Sequence, residues 1–290
     1  MTLDELIEAA WRDHAEQPEA VAARLADAIA LVERSDDFAR FVRVSTHVHG
    51  EHLGDWQRGA QLLESLRGRP AYDRAVAKAG PAVMRGIAAL RVIGGEASAL
   101  NGLSDEDSAY GLACAASALG ARRQWDRAID AFTQAVAKAS PGLATDHPAV
   151  RELAVCGNNL SVALEGKDDQ SVAERDAMVA AAEAGLKYWT LAGTWLEEER
   201  ALYQLGRSLL RAGRLPAARA SIDRCIDVCM RNDAPAFELF FGHAVKALVV
   251  RAEGDLAAFE AARRAALEQY ALVADGERHW CQREIEEIGG

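Results

Sequence analysis

The chain has 290 residues, 50% of them hydrophobic and 27% charged, which is enough apolar material to bury a core and too much for a chain disordered by composition. Its 33 basic and 44 acidic residues leave a formal net charge of −11, and no basic stripe stands out, so nucleic acid and anionic membranes are not expected partners. Five irregularly spaced cysteines do not suggest a disulfide framework, and no run of 18 apolar residues could span a bilayer, so a cytoplasmic, soluble protein is expected.

In chain order, the acidic, amphipathic start from Met1 to Leu6 lacks the basic and apolar regions of a signal peptide. Residues 1–40 predict two helices, with Leu25, Ala28, Ile29 and Val32 on one face. Next comes His47-Val48-His49-Gly50-Glu51-His52, with Asp55 beyond. On a regular helix His49 and His52 share a face, and three histidines with carboxylates have the composition of a zinc site. The plainer expectation is that His47 packs inside a helix pair, the others are polar face residues, and no metal or cofactor is bound. Pro18, Pro70, Pro141, Pro148, Pro216 and Pro235 fall where helices should begin or end, whereas Pro81 should break or kink a longer helix. Ser104 and Asp107 have capping-box spacing. Beyond them leucines recur at three and four, as in Leu202, Leu205, Leu209 and Leu210, and no period-two run predicts a strand.

Short turns recur: Gly54-Asp55-Trp56, Arg123-Gln124-Trp125, Gly213-Arg214-Leu215 and Gly254-Asp255-Leu256. Three residues after each apolar turn residue stand Gly59, Ala128, Ala218 and Phe259, and nine before it stand His47, Ala116, Gly206 and Ala247. Small residues on both helices of a pair allow close antiparallel packing, and a pair that cannot bury its face alone must stack on the next. The stretch from Leu202 to Leu209, then Gly213-Arg214-Leu215, Ala218, Ile222 and Cys225, resembles the tetratricopeptide repeat (TPR) family. Leu112–Ala135 resembles it next best, and residues 151–190 more loosely.

That resemblance implies an all-α, right-handed superhelix of antiparallel helix pairs, with each first helix lining a concave groove. Residues 1–68 are read as N-terminal helix pairs with one such unit, 69–104 as an irregular helical connector, and 105–290 as the main array with a C-terminal capping helix. Small residues aligned at Ala116, Ser161, Gly206 and Ala247 lie 45, 45 and 41 apart, longer than the family's period of about 34. Carried over residue by residue, the groove positions fall on Asn158, Val162, Arg200, Tyr203, Arg207 and Arg211. Three arginines with a tyrosine and an asparagine suit an acidic or carboxylate-bearing peptide. The Lys/Asn clamp of chaperone-binding repeats is missing.

The expected function is a non-catalytic adaptor or scaffold binding a protein or peptide in the groove, with homo-oligomerisation a further option. Two alternatives stand beside it: a ligand- or peptide-sensing regulator, and an enzyme or metal-binding protein with a pocket near His47–Asp55. No nucleotide-binding, metalloprotease, hydrolase or CxxC motif occurs. Cys225 and Cys229 share a helix face as small buried hydrophobes, and Cys281 beside His279 and Trp280 has no activating neighbour in sequence.

Overall fold

The computed structural model describes residues 1–140 and 142–289, and the boundary expected at Pro141 lies outside them. Among the described residues there are fourteen α-helices and no strand. Contacts divide the chain into two compact units, Met1–Cys156 and Gly157–Gly290, with the division falling inside one helix.

The first unit contains α1 (Leu3–Asp13), α2 (Pro18–Asp27), α3 (Ser35–His47), α4 (Trp56–Ser65), α5 (Gly80–Ile93), α6 (Asp105–Ala121), α7 (Trp125–Ala139) and the start of α8 (Pro148–Glu165). The caps are local sequence effects. Thr2 and Glu5 form a reciprocal capping box on α1, and the Ser104 hydroxyl accepts the Asp107 N–H at 3.0 Å at the start of α6. Pro81 does not kink a helix, contrary to the sequence expectation: it stands in the first turn of α5, where its missing N–H has no carbonyl to meet. Residues 69–104 hold that one full helix and a 3-10 turn, Ala97–Leu100. α5 is mostly buried and packs on α3, α4 and α6; a Cβ on its Gly86 would lie 2.4 Å from a Val42 methyl, so only glycine permits this approach.

The second unit continues α8 and adds α9 (Val172–Ala192), α10 (Trp195–Arg211), α11 (Leu215–Arg231), α12 (Ala236–Ala252), α13 (Leu256–Leu272) and a short α14 (Gln282–Glu287). Each helix from α9 to α13 packs on the next. Gly206 on α10 meets α11, where a Cβ would lie 2.4 Å from Ile222 Cδ1. The apolar start of α12 is interior packing: Phe240 is fully buried and Phe237 and Phe241 lean on the same cluster. Cys281 and Ile288, at either end of α14, are buried in that cluster, which fixes the C-terminal segment against α12 and α13.

The recurring turns share one backbone device. Gly54, Arg123, Gly213 and Gly254 all have left-handed φ, at 65°, 57°, 72° and 84°. In three of them the N–H of the next residue donates five residues back, from Gln124 to Leu119, Arg214 to Leu209 and Asp255 to Val250. In the first turn Asp55 N–H donates six back, to the His49 carbonyl, because Val48–Leu53 forms a π-helical turn that holds one extra residue.

Candidate functional site

The six sequence-predicted groove residues all lie in the second unit, on α8 and α10. Asn158 is half-buried and Val162 exposed. At spacings of four and three, Asn158, Val162 and Glu165 share one side of α8. On α10, the same spacing aligns Arg200, Tyr203, Arg207 and Arg211 in a stripe.

The chain's own acidic C-terminal helix is bound to this stripe. Tyr203 Oη donates to Glu284 Oε1 at 2.6 Å. Arg207 donates from Nη1 to Glu284 Oε1 at 3.1 Å, and grips Glu287 with two parallel bonds of 2.9 and 3.0 Å. Its Nε donates to Glu165 Oε1 at 2.9 Å. The same Glu165 accepts from Gln204 at 3.1 Å and from Arg283 at 2.7 Å. Burial disfavours the charged guanidinium of Arg207, yet Glu287, Tyr203 and Glu165 hold its pKa above the ordinary arginine value. Burial likewise raises the Glu287 carboxyl, and the Arg207 hydrogen bond overcomes that and leaves it below the usual carboxylate range. Tyr203 is pushed well up, chiefly by burial, and remains a hydrogen-bond donor. Arg207 is therefore saturated by three carboxylates. Arg200 is engaged too, pairing with the buried Glu238 of α12, one bond being 3.3 Å.

Next to this network lies a cleft of about 560 Å³, within the usual size of a ligand site, bordered by Arg207, Arg211, Arg251 and Arg283, with Leu210 and Leu248 as apolar lining. Arg211 and Arg251 differ from Arg207. Arg211 donates to the carbonyls of Lys167 and Asp168 at 3.2 and 3.5 Å and to the Gln170 amide at 3.4 Å. Arg251 donates to the Glu287 carbonyl at 3.0 Å and stands over the Phe259 ring. Neither has a carboxylate partner among the described residues. Sequence reasoning missed Arg251 and Arg283, because both reach the cleft from outside the α10 stripe. Arg263 also ties down the C-terminal segment, donating to the carbonyls of Ile288 and Gly289 at 3.0 and 2.6 Å.

The cysteines are buried. Burial lifts the Cys281 thiol to about 11, which leaves it unreactive at neutral pH. Cys225 Sγ donates to Glu199 Oε1 at 3.3 Å inside the second unit. Burial pushes Glu199 up to about 9, so a protonated acid sits beside two thiols, with its Oε2 lacking a hydrogen-bond partner. His49 is also buried, with Nδ1 3.2 Å from the Ser45 carbonyl. The helix-interior place that the sequence assigned to His47 is taken by His49, which lies against Gly59; His47 is half-buried.

Two solved structures are similar to this chain over most of its length. BtubC (BKLC) from P. vanneervenii is 16% identical with a TM-score of 0.50, over 93% of this chain and 92% of its own. A variant of a Podosopora anserina protein with nearly identical TPR-like repeats is 15% identical with a TM-score of 0.50, over 83% of this chain and 94% of its own. No protein-family model matches, and no curated protein matches. The likeness establishes the fold as a TPR-like helical repeat of antiparallel helix pairs. No helix among the described residues is long and apolar enough to cross a membrane.

Proposed function

We propose that the second unit is a non-catalytic binding module for an acidic or carboxylate-bearing peptide segment of a protein partner, seated over α8, α10 and α12. TPR-like folds in general serve protein interaction, which supports the class. The chemistry of the segment is argued from one observation: the α10 stripe already binds an acidic helix, through Glu284 and Glu287, and the adjoining cleft offers two more guanidinium groups, Arg211 and Arg251, without a carboxylate partner among the described residues. A guanidinium can exchange a carbonyl acceptor for a carboxylate with gain, since charge-assisted bonds are roughly twice as strong as neutral ones. Leu210 and Leu248 would take an apolar side chain of the same segment.

The test is fluorescence anisotropy with labelled glutamate-rich peptides that end in a free carboxylate or an amide. Arg211→Ala/Arg251→Ala, which leaves the Arg207 network intact, is expected to weaken binding by about tenfold or more, and added salt to weaken it in the parent protein. Equal binding by the parent and the double variant would remove the cleft from the reading.

A further inference from the structure

In the first unit, three histidines from separate stretches of sequence come together. His14 follows the last residue of α1, His47 ends α3, and His52 lies in the π-helical turn. Their three ring centroids are mutually 4.9 Å apart, and one ligand nitrogen of each lies within 4.8 Å of the other two. All three side chains are half-buried, so they are held in place yet open to solvent.

From this arrangement we infer a mononuclear zinc site formed by the Nε2 atoms of His14, His47 and His52, with the fourth coordination position open. Zinc–imidazole bonds of 2.0–2.1 Å at tetrahedral angles put neighbouring ligand nitrogens about 3.3–3.4 Å apart. His47 Nε2 and His52 Nε2 stand 3.2 Å apart. The outer nitrogens of two rings are already occupied as zinc ligation requires. His14 Nδ1 donates to the Trp11 carbonyl at 2.6 Å, and His47 Nδ1 to the Glu51 carboxylate at 2.9 Å. Each bond fixes the tautomer whose Nε2 lone pair faces the centre, and a carboxylate behind a ligating histidine strengthens it as a donor. Trp11 packs on both rings, at 5.4 and 5.1 Å between centroids, and limits their rotation. For His52, zinc binding needs only the transfer of its proton from Nε2 to Nδ1.

The backbone supplies an independent reason. Five residues apart on an α-helix, His47 and His52 would point about 140° from one another. The π-helical turn brings both to one side, and isolated π turns occur frequently at functional sites. The same turn sends His49 inward, so the ligand that sequence spacing paired with His52 is replaced by His14, 33 residues earlier than His47. Three neutral imidazoles without a thiolate favour a borderline divalent ion, and zinc takes this set with water or an incoming ligand in the fourth place.

Isothermal titration of the metal-stripped full chain with zinc chloride tests the site, with cobalt(II) absorption as a readout of tetrahedral geometry. One zinc per chain is expected, together with the intense visible bands of tetrahedral cobalt. His47→Ala/His52→Ala and His14→Ala should abolish both signals, whereas the exposed His279→Ala should change neither. Glu51→Gln keeps all three ligands and should weaken zinc by about 10- to 100-fold. Circular dichroism melts establish that each variant is folded; should a histidine variant unfold, the Glu51→Gln shift decides. Absence of stoichiometric zinc binding, or binding unchanged in His47→Ala/His52→Ala and in Glu51→Gln, overturns the site.

Discussion

The pairs α3/α4 and α10/α11 turn on the same left-handed glycine, yet differ by one residue. In α10 the helix is regular up to its end. Its side chains therefore fall in register, and Arg200, Tyr203, Arg207 and Arg211 make a continuous ionic stripe. In α3 the additional residue is absorbed as a π turn. The helix face rotates, a histidine goes into the core, and two others gather beside His14. A regular helix thus spreads its polar groups along a line, while an irregular one concentrates them at a point. The former suits an extended or helical segment, the latter a single small ligand.

The stripe should be the more costly of the two to break. Arg207→Ala leaves Glu165 and Glu284 buried beside each other with their main cation gone. Removing one partner of a buried ion pair costs about 3–5 kcal/mol, and that loss is expected in urea unfolding of this variant. Hydrogen exchange should localise it to α14 and the end of α8. If α14 stays protected in Arg207→Ala, the Cys281 and Ile288 contacts suffice to hold it, and the ionic stripe is not what fixes the C-terminus.

Two buried titratable groups, His49 in the first unit and Glu199 in the second, carry opposite pH responses. Burial drives His49 from 6.5 to about 4. The unfolded chain then binds more protons than the folded one between those values. The stabilisation is present above pH 6.5 and is lost as pH falls through 4, by about 3 kcal/mol. His49→Met should flatten this acid slope; hydrogen exchange in α3 and α4 at pH 7 and pH 4.5 is the measurement. Glu199 has the reverse sign. Its folded-state value of about 9 lies above the ordinary carboxylate, so stability is full below pH 4.5 and falls as pH rises through 9. Glu199→Gln is isosteric and cannot ionise, so it should be the more stable form at pH 8.5 by about 1–3 kcal/mol, with the gain absent at pH 4. A gain equal at both pH values would mean that the improvement comes from packing, not from the charge.

Much of the fold was legible because helix period, turn residues and the small-residue positions agree, and each is a local property. Gly206 and Ala218 packed as their spacing implied. The α10 stripe was legible for the same reason. What occupies it was not: Glu284 and Glu287 lie 77 and 80 residues beyond Arg207, and Ile285-Glu286-Glu287-Ile288 reads only as a polar end. The histidine cluster failed for another reason. Counting back nine from Trp56 assumes an α-helical rise throughout, and one inserted residue after His47 voids that count. Gly50 gives no warning of it, since glycine also occurs at that depth for packing, here 3.1 Å from Ile93 for a built Cβ.

The smallest effect separates the turn from the helices it joins. Three of the four equivalent turns place glycine in the left-handed position, and the α6/α7 turn places Arg123 there, at φ 57°. A residue with a Cβ pays roughly 1–2 kcal/mol in this region, although its unfolded chain has less backbone entropy to lose than glycine's. Arg123 is exposed, and none of the hydrogen bonds described for α6 and α7 uses its side chain. Arg123→Gly should therefore stabilise the first unit by about 0.5–1 kcal/mol in thermal unfolding. The reverse change, Gly213→Arg, meets no neighbouring atom within 4 Å at the Cβ, so it isolates the same backbone cost in the second unit and should destabilise by a similar amount. Agreement of the two magnitudes would show that the repeated turn is energetically one device in both units. If Arg123→Gly is instead neutral or destabilising while Gly213→Arg is costly, the α6/α7 turn draws a compensation from the arginine itself, and the equivalence holds only for the backbone trace.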